Sequence, residues 1–523
     1  MTNFAGKVPI KLLDRRSDEW KMYHTMLDRL WAIYCGGLEM QAMAEQFLIR
    51  RAKEPAEVFQ SRIANFQYHN HAGTATDWYV SALFQKPPRS QPSPPPGAAD
   101  GKIMDLKPDD AAFQEKFDKN CNRAKQPFLE HLRMRFRDMV VFGRAVSLVD
   151  LPRAGEFPNL KAEREAGQFD PYLCAYDPRC LINYQRDDEG SLKWAVLRAL
   201  YNEQEDAFTE TSSSIRWYYF DRTSYAVYEK EIKDDKDRQI AAYANDGPDG
   251  AEGDAVLVDS GSHALAEVQQ VPLLITDVPR GFWFAQKAYS AVIGHINADN
   301  DLAWALKMAA LAMPVIISDE EVDMTLSEVG AIHLPKDAKY EWTEPEGRCW
   351  KHLDNRTNSL VEQIFRHYYL ISQARSTSAT PAAQSGISKE QDMKASRKIL
   401  SALGAIVRED AQQTLNAVWT ARRSAVRWDV RGLDFPEEPP DETLEMIGSA
   451  RSVGVNSDTF QRELSKLAVT AAIPDANTDL KTVIFKEIDD TPIIPIVDQT
   501  GAVKETDDQL RNNFPVIDKP RAA

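Results

Sequence analysis

The stretch DNDLAWALKMAALAMPVII occupies residues 299–317, and NRTNSLVEQIFRHYYLISQ occupies residues 355–373. In the first, Ala303, Leu306, Ala310 and Met313 recur at helical spacing until Pro314, which lacks the amide a helix needs. In the second, Leu360, Ile364, Tyr368 and Ile371 share one helix face. At 1.5 Å per residue, Asn355 to Gln373 spans roughly 28 Å. Between the two, Val315–Ile317, Ala331–Leu334 and Lys339–Trp342 read as short β-runs punctuated by Gly330, Pro335, Pro345 and Gly347. A small β excursion set between two long helices reads as an arm projecting from a larger body.

The same reading extends outward. Tyr289, Ile293 and Ile296 mark a helix that the polar run Asn297–Asp301 is expected to interrupt. Val361 and Phe365 lie beside the stripe of Leu360 and Ile364, giving that helix surplus apolar surface suited to neighbouring subunits. Arg375–Gly386 is a loop of small residues with almost nothing to bury. Ser388 and Gln391 have capping-box spacing and open a long helix through Ile399, Leu403, Ile406, Leu415 and Val418, with Arg422, Arg423, Arg427 and Arg431 closing the region. After Pro436–Pro440 come a helix over Glu442–Ala450, a turn and cap at Gly454–Ser457, and a helix over Asp458–Val469. The spacing is that of a helix-turn-helix. The second helix sets only Arg462 and Lys466 against Asp458 and Glu463, which favours packing over groove reading.

Toward the N-terminus, Trp20, Tyr23, Leu27, Leu30, Trp31 and Tyr34 form a helix face, with Ser17 as cap and Gly36-Gly37 as stop. Helices follow Pro55 through Val58, Phe59, Ile63 and Phe66, and carry Trp78, Tyr79, Ala82 and Leu83. The proline-rich run PPRSQPSPPP at 87–96 excludes helix and central strand and reads as an extended surface linker rather than a PxxP ligand. Residues 111–141 read as helix and Arg144–Asp150 as a strand. From 171 to 275 β-runs dominate: Tyr172–Tyr176, Leu181–Tyr184, Trp194–Leu200, Arg216–Phe220 and Tyr225–Tyr228, with Asp187–Gly190 as a hairpin loop and the acidic 245–254 segment as a solvated tip.

The composition excludes several function classes. Asp and Glu number 79 against 63 Lys and Arg, a net charge of −16, which disfavours a sequence-reading DNA binder that must neutralise phosphates. The five cysteines are scattered without a CxxC, against both a disulfide scaffold and a structural zinc site. Neither a signal peptide nor a membrane span is legible, so we expect a protein made in a reducing cytoplasm. No P-loop, nucleophile elbow, HExxH or kinase set occurs. His69-Asn70-His71 spells HNH, but the nuclease of that name needs separated residues around a metal. The acidic clusters at 187–189, 234–235 and 319–321 sit beside loop signals. We therefore expect no catalytic residues, cofactor or metal, and an architectural or assembly role.

The order of these segments resembles that of tailed-phage portal proteins. Ala312–Ile317, Gly330–Pro335 and Asp354 through Ile371 are similar to the portal segment that forms stem, clip and second stem helix. Phe47–Ile49, Phe59, Arg62, Asn65, Leu83-Phe84 and Pro87-Pro88 are similar to a portal subfamily long known as a domain of unknown function. Arg144–Asp150 and Tyr176 through Asn183 are similar to its wing. The resemblance spans roughly residues 18–470 and rests on segment order and loose patterns; the 87–96 insert and the tail after 474 fall outside it.

The resemblance implies an α+β, helix-rich portal-type subunit. A wing would span 1–281, with a Pro-rich linker at 87–97 and a β-rich middle at 143–275. Wing-to-stem helices would occupy 282–313, the clip 314–354, the second stem helix 355–374 and the tunnel loop 375–388. The long helix and return to the wing would occupy 389–440, a helical crown 441–473, and a partly ordered tail 474–523. Such subunits form rings, usually of about twelve copies, at one capsid vertex. The implied partners are further copies of the chain, double-stranded DNA passed without sequence preference, terminase large subunit, head–tail adaptor, and major capsid and scaffolding proteins, with no membrane. The implied location is the virion, with host cytoplasm during assembly.

By position, the DNA-channel residues would be Arg375, Ser376, Thr377, Ser378, Thr380, Gln384, Ser385, Lys389 and Lys394, and the clip docking residues Ile332, Leu334, Tyr340 and Trp342. Small polar residues within an acidic channel let phosphates slide without being trapped. Two other classes compete. One is a metal-dependent phage-morphogenesis nuclease or hydrolase, for which the sequence offers no preferred carboxylate. The other is a non-portal scaffold or adaptor acting through the Pro-rich linker.

Overall fold

Capping chemistry places the first long helix where the sequence predicts it. The Ser17 hydroxyl accepts the Trp20 amide at 3.1 Å, and Gly36, at φ 64°, supplies the left-handed stop. The computed structural model describes residues 5–93, 106–152, 170–204, 212–232, 253–309, 313–317, 339–343, 348–370, 386–435, 440–452, 457–473 and 478–490.

In chain order, strand β1 (Lys7–Pro9) leads through α1 (Ile10–Leu13) to α2 (Asp18–Cys35), α3 (Gly37–Ala42), α4 (Ala44–Phe47), α5 (Ala56–Ala64) and α6 (His71–Leu83). Strand β2 (Arg89–Ser93), α7 (Pro108–Lys119) and α8 (Phe128–Phe142) follow. The strand-rich middle holds β3 (Arg144–Asp150), β4 (Tyr172–Tyr176), β5 (Leu181–Arg186), β6 (Leu192–Glu203), β7 (Ser212–Asp221), β8 (Tyr225–Glu231), β9 (Asp254–Gly261) and β10 (Leu273–Asp277). Then come α9 (Phe284–Ala309), β11 (Met313–Ile317), β12 (Lys339–Thr343), α10 (Arg348–His367), α11 (Gly386–Ala421) and β13 (Arg427–Arg431). Last are α12 (Pro440–Ser452), α13 (Asp458–Ala472) and α14 (Thr478–Asp490). The fold is α+β with helix in excess.

Antiparallel pairing runs β1-β9-β8-β7-β6-β5 in a six-stranded sheet and β10-β3-β4 in a three-stranded one. Alternation along β7 explains how they join. Ile215 and Trp217 enter one cluster with Ile10, Trp20 and Tyr228, while Phe220 enters a second with Leu197, Val146, Leu148 and Leu273. The three-stranded sheet thus covers one face of the larger sheet, and the N-terminal α1–α2 region covers the other.

Two buried charge networks tie distant segments together. Asp14, 1% exposed, accepts from Arg16 at 3.0 Å and from the Trp217 indole at 3.0 Å, with Arg198 Nε 3.2 Å away. Arg135, on α8, forms a fork on Asp410 of α11 and also donates to Ser147 of β3 at 2.7 Å and Thr276 of β10 at 3.0 Å. A packing constraint adds to this: a Cβ on Gly404 of α11 would lie 2.1 Å from the Leu433 carbonyl oxygen, so this approach requires glycine.

Several sequence expectations are corrected. Asn297–Asp301 do not interrupt a helix; α9 runs unbroken through them. Residues 111–141 form two helices, because the 120–127 turn is built by asparagines. Asn120 Oδ1 accepts the Lys125 amide at 2.8 Å and Asn122 Oδ1 the Ala124 amide at 2.9 Å, with Arg123 and Lys125 left-handed. Part of the Pro-rich run is a strand: β2 pairs with β13, setting Pro92 opposite Trp428. A two-stranded sheet has only edges, where proline is tolerated.

Helix α10 starts at Arg348 and ends at His367, with Tyr369 left-handed at φ 57°. Val361 and Phe365, expected to face neighbours, are each 9% exposed within the single chain. Helix α11 begins at Gly386, so Ser388 lies in its first turn rather than at its cap. Helix α14 forms within the region after 474. The run 331–334 and residues 245–252 lie outside the described residues.

The chain divides into one unit of residues 1–396 with 402–433, and a second of 397–401 with 434–523. In the second, α12 packs on α13 and α13 on α14, and Lys466 bridges Glu463 at 3.2 Å and Asp489 at 2.9 Å.

Removing one partner of the Arg135–Asp410 fork should destabilise strongly. Arg135→Met, which leaves a buried carboxylate uncompensated, is expected to cost about 3–5 kcal/mol in denaturant unfolding. Arg135→Met combined with Asp410→Leu should recover most of that loss.

Candidate assembly and channel elements

Helix α9 is the element from which the candidate arm starts, and its polar residues explain its placement. Asn297 Oδ1 accepts the Ile49 amide at 2.8 Å, and its Nδ2 donates to the Phe47 carbonyl at 3.0 Å. One turn on, Asn300 repeats the arrangement, accepting the Gln67 amide and donating to the Gln67 carbonyl, both at 2.9 Å. Each carboxamide satisfies a backbone donor and acceptor, at the end of α4 for Asn297 and in the connection before α6 for Asn300.

Asp301 completes the row. It accepts from Arg51 at 2.7 Å and from Arg62 at 3.0 Å, and Arg62 also reaches Glu54 at 3.0 Å. Burial alone would raise the Glu54 carboxyl, but the Arg51 amide and the Arg62 guanidinium outweigh it and hold the pKa below the usual range.

Helices α9 and α10 pack together and run in opposite directions. Phe284, at the start of α9, meets Tyr368, just past the end of α10, at a ring separation of 5.8 Å. Gly294 lies deeper along α9, where a Cβ would be 3.3 Å from Leu360. Tyr79 of α6 anchors the pair by donating to the Tyr368 carbonyl and meeting the Phe284 ring at a tilt, with centroids 5.1 Å apart. Between the two helices in sequence, β11 and β12 pair antiparallel, with Ile316 opposite Tyr340 and Pro314 opposite Trp342.

Of the predicted clip residues, Tyr340 and Trp342 lie on β12, in register with Ile316 and Pro314 of β11. Ile332 and Leu334 lie outside the described residues, as do Arg375, Ser376, Thr377, Ser378, Thr380, Gln384 and Ser385. Lys389 and Lys394 fall in the first turns of α11, whose backbone alone is described there. Sequence reasoning missed Asn297, Asn300, Asp301, Arg62 and Glu54. The signal was available: Ile293 and Ile296 continue the helical period into Asn297 and Asn300, so the polar run is a second face rather than a break.

A cleft of about 270 Å³ lies between α2 and the start of α9, lined by Glu19, Trp20, Tyr23, Arg144, Tyr184 and Trp283 among others. Arg144 spans it, donating to Asp277, Glu19 and Tyr184, so its carboxylates are held in ion pairs. Burial raises Asp138 to about 6 against the pull of Arg137, and burial lowers His131 to about 4 with Arg135 adding to the effect. Both belong to the packed core around α8. Among the described residues no group of His, Cys or carboxylates is arranged to hold a metal ion, and no helix is long and apolar enough to cross a membrane.

Comparison with protein-family models gives no match, and comparison with curated proteins gives none. Among solved structures the chain is similar to a chain of the neck of an empty gene transfer agent particle, computed with C6 symmetry. The identity is 11% and the TM-score 0.38, over 79% of this chain and 95% of that one. It is also similar to a chain of the virion of a native gene transfer agent particle, at 11% identity and a TM-score of 0.38, over 82% of this chain and 98% of that one. Neither likeness is close enough to carry a role for this chain.

The asparagine row is testable. Asn300→Ala leaves the Gln67 amide and carbonyl without partners and should cost about 1–3 kcal/mol, read as a lower denaturant midpoint at unchanged slope. Asp301→Ala should cost less, because Arg62 keeps Glu54.

Proposed function

We propose that this chain is a portal-type subunit: a ring-forming structural protein at one capsid vertex that conducts double-stranded DNA during packaging and ejection. The observation that carries the reading is the antiparallel α9–α10 pair closed by the β11–β12 hairpin, followed in sequence by the 36-residue helix α11. A helical pair tipped by a hairpin is suited to surround a channel when copies are arranged about an axis, and a long helix behind it is suited to brace the loop between. In this reading α9 and α10 are stem helices, the hairpin belongs to the clip, and residues 375–388 form the tunnel loop.

The charge balance supports the same assignment. A net charge of −16 keeps DNA from adhering along the ring. The small polar residues Ser376, Thr377, Ser378, Thr380, Gln384 and Ser385 would line the constriction. Arg375, Lys389 and Lys394 beside them would make brief phosphate contacts. The clip residues Ile332, Leu334, Tyr340 and Trp342 would dock the terminase large subunit or the head–tail adaptor, and the outer body would meet capsid and scaffolding proteins. No catalytic step, cofactor or metal is assigned.

Negative-stain imaging with solution mass tests the ring. Twelve copies of the 59.1 kDa chain would give about 709 kDa with a central hole. A single-chain species at every concentration, with capsid protein present as well, would overturn the proposal. The channel assignment has its own test: deleting residues 376–385 should leave rings intact and impair DNA packaging or retention. Normal packaging by that variant would remove the tunnel-loop assignment while leaving the ring.

A further inference from the structure

We infer that His69, His71 and His295 form a proton-sensitive latch that holds α6, α9 and α10 together when neutral and loosens them when protonated. The three rings come from separate parts of the fold: His69 from the turn before α6, His71 from the first turn of α6, and His295 from the middle of α9. Their centroids are 5.1 Å apart for His71 and His295, 6.3 Å for His69 and His71, and 6.5 Å for His69 and His295. His71 also meets Phe365 of α10 edge-on at 5.9 Å, so the cluster touches all three helices. His295 is 3% exposed.

The charges around the cluster are few. Asp299, one turn beyond His295 on α9, faces His69, with Oδ2 3.5 Å from Nε2. Helix α10 presents the uncharged Phe365. Among the described residues, burial acts first on both inner rings, His69 adds to it at His71, and His71 and His69 add to it at His295. Asp299 faces His69 rather than the inner pair.

Burial lowers the His71 pKa, with His69 adding to the effect. Burial also lowers His295 to about 4, with His71 and His69 adding. The unfolded chain takes up these protons near pH 6.5. The folded junction resists them, so the stability it gains from neutral rings is complete above about pH 6.5 and is lost as the pH falls through the folded values. Asp138 on α8 has the opposite sign, since its raised carboxyl favours the folded state on acidification. A shared metal is the competing use of clustered histidines. Among the described residues, however, no three His, Cys or carboxylate groups are placed to hold one. The latch does not depend on the chain forming rings.

The test is hydrogen exchange of the full-length protein at pH 7.5 and 5.0, corrected for intrinsic rates, with chelator present. Amides of 71–83, 284–309 and 348–367 should lose protection by about tenfold or more at pH 5.0, the change expected of one proton linked over one pH unit. The double variant His71→Phe, His295→Leu, which keeps apolar bulk without titrating, should hold the change to within about twofold. Where that variant does not fold, His71→Phe alone should reduce the acid effect, and Asp138→Asn should leave it in place. Unchanged protection in the natural protein, or the full acid effect in the histidine variants, would overturn the latch. So would zinc raising protection at pH 7.5 only when the histidines are present, which would make the cluster a metal site.

Discussion

Arg135 is enclosed by the core, and Asp410 makes that enclosure tolerable. A guanidinium 2% exposed cannot remain charged without a matched acceptor, and the carboxylate fork supplies one in the planar geometry arginine requires. The rest of the first unit depends on this contact because of what else Arg135 touches. Its remaining donors reach Ser147 and Thr276, so helix α8, strands β3 and β10 and helix α11 converge on one side chain. A hydrophobic pair could hold α8 to α11, but it would not fix their register. The fork permits one register, and with it the direction in which α11 leaves the sheet.

A second constraint acts on the arm in a different way. Helix α9 lies beside the end of α4 and the connections around residues 48–49 and 67, whose backbone groups at residues 47, 49 and 67 it engages. Asn297 and Asn300 do so with carboxamides borne on a helix. Leucines at those positions would have packed as well but given up four hydrogen bonds to the backbone. Polar residues in the middle of a long helix thus dock the N-terminal region at the base of the α9–α10 pair. The same docking sets α6 against that pair, where Tyr79 reaches the Tyr368 carbonyl.

These two cases show which parts of the fold could be read from sequence. Elements carried by local chemistry were legible. Ser17 caps α2 and Ser457 caps α13 as expected, Asp187 shapes the β5–β6 loop, and the β-runs from Tyr172 to Tyr228 fall on strands. What failed were residues whose partners are hundreds of positions away. Asn297–Asp301 resembled a break because their role lies with Phe47–Gln67. Val361 and Phe365 resembled free surface because Phe365 is covered by His71 of α6. Arg89–Ser93 resembled a linker because its partner strand is Arg427–Arg431. The 120–127 turn was missed for a smaller reason, since Asn120 and Asn122 bond locally to the backbone and end a helix that periodicity alone would continue. Of the candidate site, Tyr340 and Trp342 fall on a strand, whereas Ile332, Leu334 and residues 375–385 lie outside the described residues.

The distances in sequence also constrain how the molecule reaches this state. Arg135 and Asp410 are 275 residues apart, Tyr79 and Tyr368 289, and Gln114 and Trp419 305. Contacts of such separation are slow to form, because loop closure comes before the contact can stabilise anything. Until α10 and α11 have been synthesised, Tyr79, Gln114 and Arg135 lack Tyr368, Trp419 and Asp410. Partly folded chains are most exposed to wrong association in that interval. The chain's answer is to make its last-formed contacts polar and directional. A bare guanidinium or an unpaired carboxamide on an unfinished chain resists burial, and its intramolecular partner relieves the cost. The buried polar networks therefore favour completion of the chain's own fold over association of half-made faces.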